Sequence, residues 1–229
     1  HEGIRLALTK EAEWIWIADD DAFTQKDAFE VMNHFIEENR ALCDETVSIC
    51  SENISSQGKI AEGHRCRKEK LHIMPVPVPK EEYQKEYFDM DVFSFVGAAV
   101  KKSIIQQAGL PMKEFFIYAD DYEYALRVRE YGRILCVPKI KVIHNDNGGV
   151  VKNASWRDYY ETRNHLWVTG KYYGKFAFNL RILFRILTAA KSGNPEKIKV
   201  YIAGIKDAKE NKLGIHSIYN PGWQPIKKY

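Results

Sequence analysis

The sequence predicts an α/β protein in which a sheet is flanked by helices and followed by a C-terminal helical extension. Two observations indicate the sheet: short apolar runs alternate with segments of helical periodicity, and one run, Trp14–Ala18, ends directly at three aspartates. A third observation indicates the extension, because the pattern after Ser155 is helical and rich in aromatic and basic residues. We therefore expect two domains, residues 1–152 and residues 153–229.

Local patterns predict the first elements. Residues 4–8 are typical of the end of a helix, and Trp14–Ala18 is typical of a buried strand whose carboxyl end carries the aspartates. Thr24 is a candidate N-cap for the next helix, because Asp27 follows three residues later and apolar residues then recur at helical spacing. Those apolar residues are Ala28, Val31, Met32 and Phe35.

The middle of the chain is predicted to alternate strands with irregular segments. Thr46–Cys50 indicates a strand, and the polar, proline-containing stretch 51–80 indicates a long loop or an edge hairpin. Val92–Val100 indicates a strand in which Gly97 marks a close approach of the backbone. Beyond it we expect a short helix, a second helix and two short strands: Ser103–Ala108, Tyr122–Tyr131, Ile134–Val137 and Lys141–Ile143. The extension should contain three helices: Trp156–Val168, Lys175–Lys191 and Pro195–Lys212.

Composition excludes several classes of protein. Hydrophobic residues make up 45% of the chain and charged residues 28%, which excludes a disordered chain. No apolar run approaches the roughly 20 residues of a membrane-spanning helix. The four cysteines form no Cys-x-x-Cys pair, so we expect neither a zinc site nor a redox motif, but reduced thiols in a cytoplasmic protein.

Charge is distributed unevenly. The net charge is +3, but from Lys171 onward twelve Lys or Arg residues face three Asp or Glu residues. The rest of the chain is therefore acidic, and the two parts should have different partners.

Three groups of residues could carry chemistry: the triplet Asp19, Asp20 and Asp21, the pair Asp120 and Asp121, and His144. Ligands of open α/β sheets bind at the carboxyl ends of strands, where the triplet and the histidine are predicted. Adjacent carboxylates repel one another, so a divalent cation is a natural counter-ion, and an imidazole favours Mn²⁺ over Mg²⁺. Each group also has an ordinary explanation, namely a solvated turn, a helix cap or a surface histidine. Their joint occurrence in one domain favours a functional site.

Several stretches resemble, in order, the motifs of family-2 glycosyltransferases with the GT-A fold. They are Trp14–Ala22, Phe95–Val100, Gly109–Pro111, Phe115–Arg127, Val142–His144, Tyr159-Tyr160 and Arg163-Asn164. The chain is most similar to the galactofuranosyl- and rhamnosyltransferases of bacterial polysaccharide assembly. This resemblance implies a GT-A-like, Rossmann-related mixed sheet. It also implies inverting transfer of galactofuranose or rhamnose from a UDP- or dTDP-sugar to a glycan or lipid-linked glycan acceptor.

The resemblance also implies roles for individual residues. Asp21 and His144 match ligands of a divalent metal, Mn²⁺ or Mg²⁺, which would stabilise the leaving diphosphate. Asp121 matches the general base, which takes the proton of the acceptor hydroxyl. The implied substrate contacts come from Asp19, Asp20, Gly97 and Asp120.

The start of the chain differs from the family pattern. Family members begin with a strand, a Thr-Tyr-Asn-type turn and a second strand with an acidic residue, which together hold the nucleobase and ribose. Residues 2–8 instead resemble the helix that follows the family's glycine-rich segment. We therefore expect the chain to lack the first β-α units and to bind free nucleoside diphosphate weakly.

The helix Lys175–Lys191 predicts a further contact. It is cationic and amphipathic, with Arg181, Arg185 and Thr188 on one face, which suits an anionic membrane interface on the inner side of the cell membrane. Packing against the catalytic domain or a partner subunit is equally open, and so is a homo-oligomer. No nucleic-acid-binding module accompanies the basic residues, so we expect no nucleic-acid partner.

Two other functions stay open. A sugar-nucleotide hydrolase or a nucleotidyltransferase would also use aspartates and a metal, although the sequence lacks the glycine-rich basic loop that holds a triphosphate. A non-catalytic binding or scaffold domain could keep the same fold.

Overall fold

The computed structural model describes residues 1–144 and 153–225. Contacts between residues divide these into two units, one comprising 1–111 and 124–144 and the other comprising 112–123 and 153–225. The domain boundary expected at residue 152 lies outside the described residues. Residues 112–123 group with the C-terminal helices rather than with the sheet.

The first unit is built on a six-stranded mixed sheet. Its strands lie in the order β1 (Trp14–Ile17), β8 (Ala98–Lys101), β3 (Thr46–Ile54), β9 (Arg133–His144) and β2 (Ala22–Thr24), and β6 (Phe88–Met90) also pairs with β9. The pair β3–β9 is parallel and the other pairs are antiparallel. Because β1, β3 and β9 therefore run in the same direction, their carboxyl ends lie at the same edge of the sheet.

Four helices belong to the sheet region: α1 (Glu2–Ala7), α2 (Ala28–Glu38), α3 (Arg40–Asp44) and α4 (Lys102–Ala108). The buried face of α2 carries the apolar residues of its predicted helical pattern, except that Val31 is only partly buried. Ala28, Met32 and Phe35 pack with Ile49 of β3 and Leu135 of β9 in one hydrophobic cluster. The helical periodicity therefore predicted both the helix and the face that it buries.

A second, three-stranded sheet was not predicted as such. Its order is β5 (Val76–Pro77), β4 (Arg65–Arg67) and β7 (Val92–Phe93), and both pairs are antiparallel. For the stretch 51–80 the hairpin alternative is thus correct at β4 and β5. The single strand expected over Val92–Val100 is wrong, because β7 and β8 belong to different sheets and a turn containing Gly97 separates them.

Two smaller expectations also differ from the structure. Thr24 does not cap a helix, because it ends β2; the N-cap of α2 is Asp27, whose side chain makes no capping hydrogen bond. The two short strands expected before His144 form the single strand β9. Its pairing with β3 shifts register between Ser51 and Glu52, so the irregular middle of β9 looks like a break in the sequence pattern.

Gly97 allows a close approach between parts of the first unit. Its φ angle is +71°, and an added Cβ would lie 2.2 Å from Oγ of Ser51 and 2.8 Å from Cγ2 of Val142. The carbonyl of Gly97 accepts hydrogen bonds from the backbone N–H of Ser51 and from Nη2 of Arg65. The glycine is therefore required for both its backbone conformation and its packing.

The substitution Gly97→Ala is expected to destabilise the protein more than Gly58→Ala. Gly58 has a similar φ of +73° but nothing within 4 Å of an added Cβ, so it isolates the cost of the left-handed conformation. Overpacking at Gly97 should add about 1–3 kcal/mol to the loss in free energy of unfolding. Urea unfolding monitored by circular dichroism measures the difference. Equal losses for the two variants would contradict the packing argument.

The second unit is mainly helical. Helix α5 (Asp120–Val128) begins in it, followed along the chain by α6 (Trp156–Lys191), which Gly174 interrupts at φ 85°, and α7 (Pro195–Lys209). Gly174 divides α6 into the first two of the three predicted helices, the first of which continues beyond its expected end at Val168, and α7 is the third. Ser155 and Asp158 form a capping box at the start of α6. Gly204 lets α7 approach α6, because a Cβ there would lie 2.9 Å from the carbonyl oxygen of Tyr159.

Short 3₁₀ helices complete the secondary structure: Glu62–His64, Lys80–Gln84, Lys113–Phe115 and Arg129–Tyr131. Among the described residues, no helix combines the length and the apolar character required to traverse a bilayer.

Candidate metal centre and candidate base region

Three side chains gather at the carboxyl edge of the main sheet. Potential ligand atoms of Asp19, Asp21 and His144 all lie within 4.8 Å of one another. Nε2 of His144 is 3.3 Å from Oδ1 of Asp21. Neighbouring ligands of an octahedral divalent ion, each bonded at about 2.1 Å, lie about 3 Å apart. The spacing of these atoms therefore suits a single cation.

Strand pairing explains why residues so distant in sequence meet. β2 begins immediately after Asp21, and its first residue, Ala22, pairs with His144 at the end of β9. The backbone N–H of Ala22 also donates to the carbonyl of Asp19, 3.2 Å away, which closes the turn between β1 and β2. The turn and the register together bring both carboxylates to the imidazole.

The chemistry of the three donors fits a divalent cation. Asp19 and Asp21 are exposed, whereas the side chain of His144 is only 12% exposed. Among the described residues, Nδ1 of His144 is buried and has no hydrogen-bond partner. The other ring nitrogen, Nε2, is the one that lies next to the carboxylate of Asp21. Two carboxylate oxygens and one imidazole nitrogen suit Mn²⁺ better than Mg²⁺. Asp20, although part of the same triplet, is not in this cluster.

His64 supports the cluster and was not predicted. Its ring packs edge-on against the ring of His144, with centroids 5.3 Å apart and planes at 88°. Nδ1 of His64 is 2.6 Å from Oγ of Ser94, and Nη1 of Arg65 donates to the carbonyl of His64. These contacts hold His64 where it limits rotation of His144. The sequence carried no signal for it, because the contact joins positions 80 residues apart in chain number.

Arg65 is a buried cation that fixes the surroundings of Gly97. Its guanidinium is fully buried and donates to the carbonyls of Ser51, Val96 and Gly97 and to Oδ1 of Asn53. Such contacts compensate the loss of water around a buried charge. The side chains of Arg65, Ser51 and Val142 thus occupy the space next to Gly97. That Gly97 contacts a sugar stays a prediction.

Asp120 and Asp121 form the first turn of α5, in the second unit. Oδ1 of Asp121 accepts a hydrogen bond of 2.7 Å from the backbone N–H of Tyr122. Carboxylates at this end of a helix interact favourably with its dipole. Burial raises the pKa of Asp120 above its usual value. The predicted helix is confirmed, although it begins two residues earlier than expected.

The segment before this turn is strained. Phe116, Tyr118 and Ala119 have φ angles of 65°, 66° and 62°, a backbone conformation that residues other than glycine rarely adopt. Each such residue costs on the order of 1–3 kcal/mol and persists only where surrounding contacts hold it. Strain of this kind concentrates at functional sites, which supports a role for the aspartates that follow.

Arg163 and Asn164 of α6 hold the strained segment. Nδ2 of Asn164 lies 2.8–2.9 Å from the carbonyl oxygens of Phe115, Ile117 and Tyr118, which share its two N–H donors. Nη2 of Arg163 contacts the carbonyl of Phe115 as well, and Nε of Arg163 donates to Oδ1 of Asn164 at 2.8 Å. The donor from Arg163 and the three carbonyls fix the orientation of the amide of Asn164.

Glu123 is a second residue that the sequence argument missed. Its side chain is fully buried, and Oε1 lies 3.0 Å from Nζ of Lys171 and 2.9 Å from the hydroxyl of Tyr172. These contacts anchor the first turn of α5 to α6. A signal was present, since Glu123 is the third acidic residue in the run that begins with Asp120 and Asp121.

Comparisons with known proteins support the fold. No family model matches the sequence, and no curated protein matches it. Among the solved structures similar to the chain is the crystal structure of GalNAc-T7 with UDP, GalNAc and Mn²⁺, with a TM-score of 0.54 and 13% sequence identity. The likeness covers 91% of this chain and 41% of that chain, so this chain spans less than half of its length. The chain has a GT-A-like mixed sheet flanked by helices, as predicted.

Proposed function

We propose that the chain is the catalytic part of a metal-dependent glycosyltransferase. It moves a sugar from a nucleoside diphosphate donor to a hydroxyl group of a glycan acceptor. The observation that carries this proposal is the cluster of Asp19, Asp21 and His144 at the carboxyl edge of the main sheet. The likeness to GalNAc-T7, whose structure contains UDP, GalNAc and Mn²⁺, supports it.

The cluster has the task of holding the cation. Asp19 and Asp21 supply oxygen ligands and His144 supplies Nε2, while His64 limits rotation of the imidazole. Bound there, a divalent ion supplies positive charge to the leaving diphosphate. Asp19 thus joins the ligand set, in addition to the contact with the donor that the resemblance implies.

Asp121 has the task of accepting a proton. As the acceptor oxygen bonds to the anomeric carbon, the bond from that carbon to the diphosphate oxygen breaks, and the hydroxyl proton passes to the carboxylate of Asp121. A single displacement of this kind inverts the anomeric configuration. Asp120 holds sugar hydroxyls beside it. That Asp121 faces the metal cluster across a gap of one monosaccharide stays a prediction.

The proposed identity of the donor sugar rests on the order of the sequence motifs that resemble family-2 glycosyltransferases. Their similarity to galactofuranosyl- and rhamnosyltransferases favours a UDP- or dTDP-sugar donor and a role in polysaccharide assembly. All four cysteines are buried thiols, which fits the proposed cytoplasmic location.

The substitutions Asp21→Asn and His144→Ala test the proposed function. Both should weaken Mn²⁺ binding by at least about 10- to 100-fold, since even the loss of an outer-shell partner has that effect. Isothermal titration calorimetry measures the affinity. Release of nucleoside diphosphate from a panel of UDP- and dTDP-sugars, with glycan acceptors present, measures turnover, which should require Mn²⁺ and fall in both variants.

Asp20→Asn is the matched control. It removes the same charge from the adjacent position but leaves the three clustered side chains intact, so Mn²⁺ affinity should stay near that of the wild type. Mn²⁺ binding that is unaffected by Asp21→Asn would contradict the metal site. Mn²⁺ binding without turnover of any donor, at donor concentrations high enough to offset the weak nucleotide binding expected of this chain, would instead favour a non-catalytic domain. Donor cleavage without transfer would favour a hydrolase.

A further inference from the structure

We propose that the second half of α6, residues 175–191, docks the protein on an anionic phospholipid bilayer. This segment leaves large apolar side chains in solvent, with exposed fractions from 46% to 80%. They are Phe176, Leu183, Phe184, Ile186 and Leu187. We call this set the apolar stripe. The inference does not depend on the proposed catalytic function.

The stripe occupies one face of the helix. Phe176, Leu183 and Leu187 follow one another at spacings of seven and four residues, which places them in a row. The opposite face is buried within the second unit and includes Ala177, Ile182 and Ala189. The segment is thus packed on one side and apolar on the other.

The predicted orientation of this helix is wrong in one respect. Arg181 and Arg185, expected to face a membrane, lie on the packed side. Arg181 is 6% exposed and its Nη1 donates to Oγ1 of Thr169, and Arg185 pairs with Glu161 at 2.9 Å. The guanidinium groups find polar partners inside the unit, which leaves the outer face to apolar side chains.

A contiguous set of this kind requires a partner surface. Single exposed apolar residues are normal, but large contiguous patches on soluble proteins usually mark interaction sites. An amphipathic helix that lies in the plane of a membrane buries its apolar face into the headgroup and acyl boundary. The stripe has the geometry for such binding.

Charge around the stripe complements anionic lipids. Residues 175–191 contain no Asp or Glu, and the exposed Lys175 and Lys191 lie at the two ends of the segment. Lys175 also lines an open cleft of about 320 Å³ together with Lys209, Trp167 and Phe178; Lys171 lines it too, but its ammonium group pairs with Glu123. The ammonium groups of Lys175 and Lys209 suit lipid phosphates, and tryptophan favours the membrane–water interface.

The same charge argues against a second copy of the chain as the partner. The exposed Lys175 and Lys191 flank the stripe, and residues 175–191 contain no carboxylate that could pair with them across a dimer contact. A second copy would bring this cationic region against itself, whereas anionic lipids neutralise it. A bilayer containing phosphatidylglycerol is therefore the occupant that the charges favour.

Vesicle co-sedimentation of the whole chain tests the proposal. The protein should bind vesicles of phosphatidylglycerol and phosphatidylcholine, and bind pure phosphatidylcholine vesicles weakly. The triple variant Leu183→Gln, Phe184→Gln, Leu187→Gln should bind the anionic vesicles at least about tenfold more weakly, because each side chain loses its transfer into the apolar layer. The pair Lys175→Glu, Lys191→Glu should also bind more weakly and lose salt sensitivity.

Matched controls come from the first unit. Leu71→Gln replaces a leucine that is 96% exposed, and Lys59→Glu reverses an exposed charge; neither should alter vesicle binding. Absence of vesicle binding by the wild type, or unchanged binding by both stripe and lysine variants, would overturn the proposal. So would light scattering that shows a dimer dissociated by the triple variant without any vesicle binding, since the stripe would then join two copies.

Discussion

The substitution Asp121→Asn is expected to lower glycosyl transfer by about 10²–10⁴-fold, the usual contribution of a general base. The amide cannot accept the proton of the acceptor hydroxyl at neutral pH. Its oxygen can still accept the hydrogen bond that Oδ1 of Asp121 receives from the N–H of Tyr122, so the helix start should be retained. Turnover at saturating donor and Mn²⁺ measures the loss.

Two measurements separate the base from a structural role. Mn²⁺ affinity and thermal stability of Asp121→Asn should match those of the wild type, because the clustered metal ligands are Asp19, Asp21 and His144. Glu114→Gln removes an exposed carboxylate from the same unit and should leave turnover unchanged. Wild-type turnover in Asp121→Asn would show that another group takes the proton.

The substitution Asn164→Asp is expected to have the largest effect on folding. It replaces Nδ2, which donates to three carbonyls, with a carboxylate oxygen that repels them. The carbonyl of Phe115 keeps Nη2 of Arg163 and the backbone N–H of Ile117 as donors. Each of the other two carbonyls costs about 1–3 kcal/mol when it loses the amide donor. The strained residues Phe116, Tyr118 and Ala119 would then relax, and the aspartates that follow would lose their support. Chemical unfolding should show a loss of several kcal/mol in the free energy of unfolding, on the order of the sum over the carbonyls of Ile117 and Tyr118.

Asn211→Asp is the matched control for this substitution. Asn211 is exposed, and its Oδ1, rather than its nitrogen, accepts the hydrogen bond from Nε1 of Trp167, so a carboxylate preserves the contact. Stability should change little. If Asn164→Asp were as stable as Asn211→Asp, Asn164 would not be what holds the strained segment.

The candidate site was predictable where chemistry and chain position coincide. Acidic residues directly after an apolar strand, and His144 at the end of another, are enough to indicate the carboxyl edge of a sheet. Strand register then decided which residues meet. The register places Asp19 and Asp21, but not Asp20, beside His144. Three adjacent aspartates look the same in the sequence, so the sequence could not tell which of them meet the histidine.

Other features were not predictable because they depend on long-range packing. His64 lies in a stretch that was expected to be a loop or a hairpin, and its contact with His144 requires the second sheet. The role of Asn164 depends on the packing of α6 against residues 115–118, whose carbonyl groups accept hydrogen bonds from its side chain. Helical periodicity located residues 175–191 correctly but placed the arginines outward, since periodicity alone does not say whether a guanidinium will find a buried partner.

By itself the sequence determined the α/β class, most of the helices and main strands, and the kinds of side chain available for a metal and a base. These follow from local preferences and periodicity, which act over a few residues. Only the tertiary structure decided which aspartates join His144, which asparagine supports the strained turn and which face of the second half of α6 stays apolar and exposed. Those outcomes depend on strand register and helix packing, whose free energies come from residues far apart in the chain.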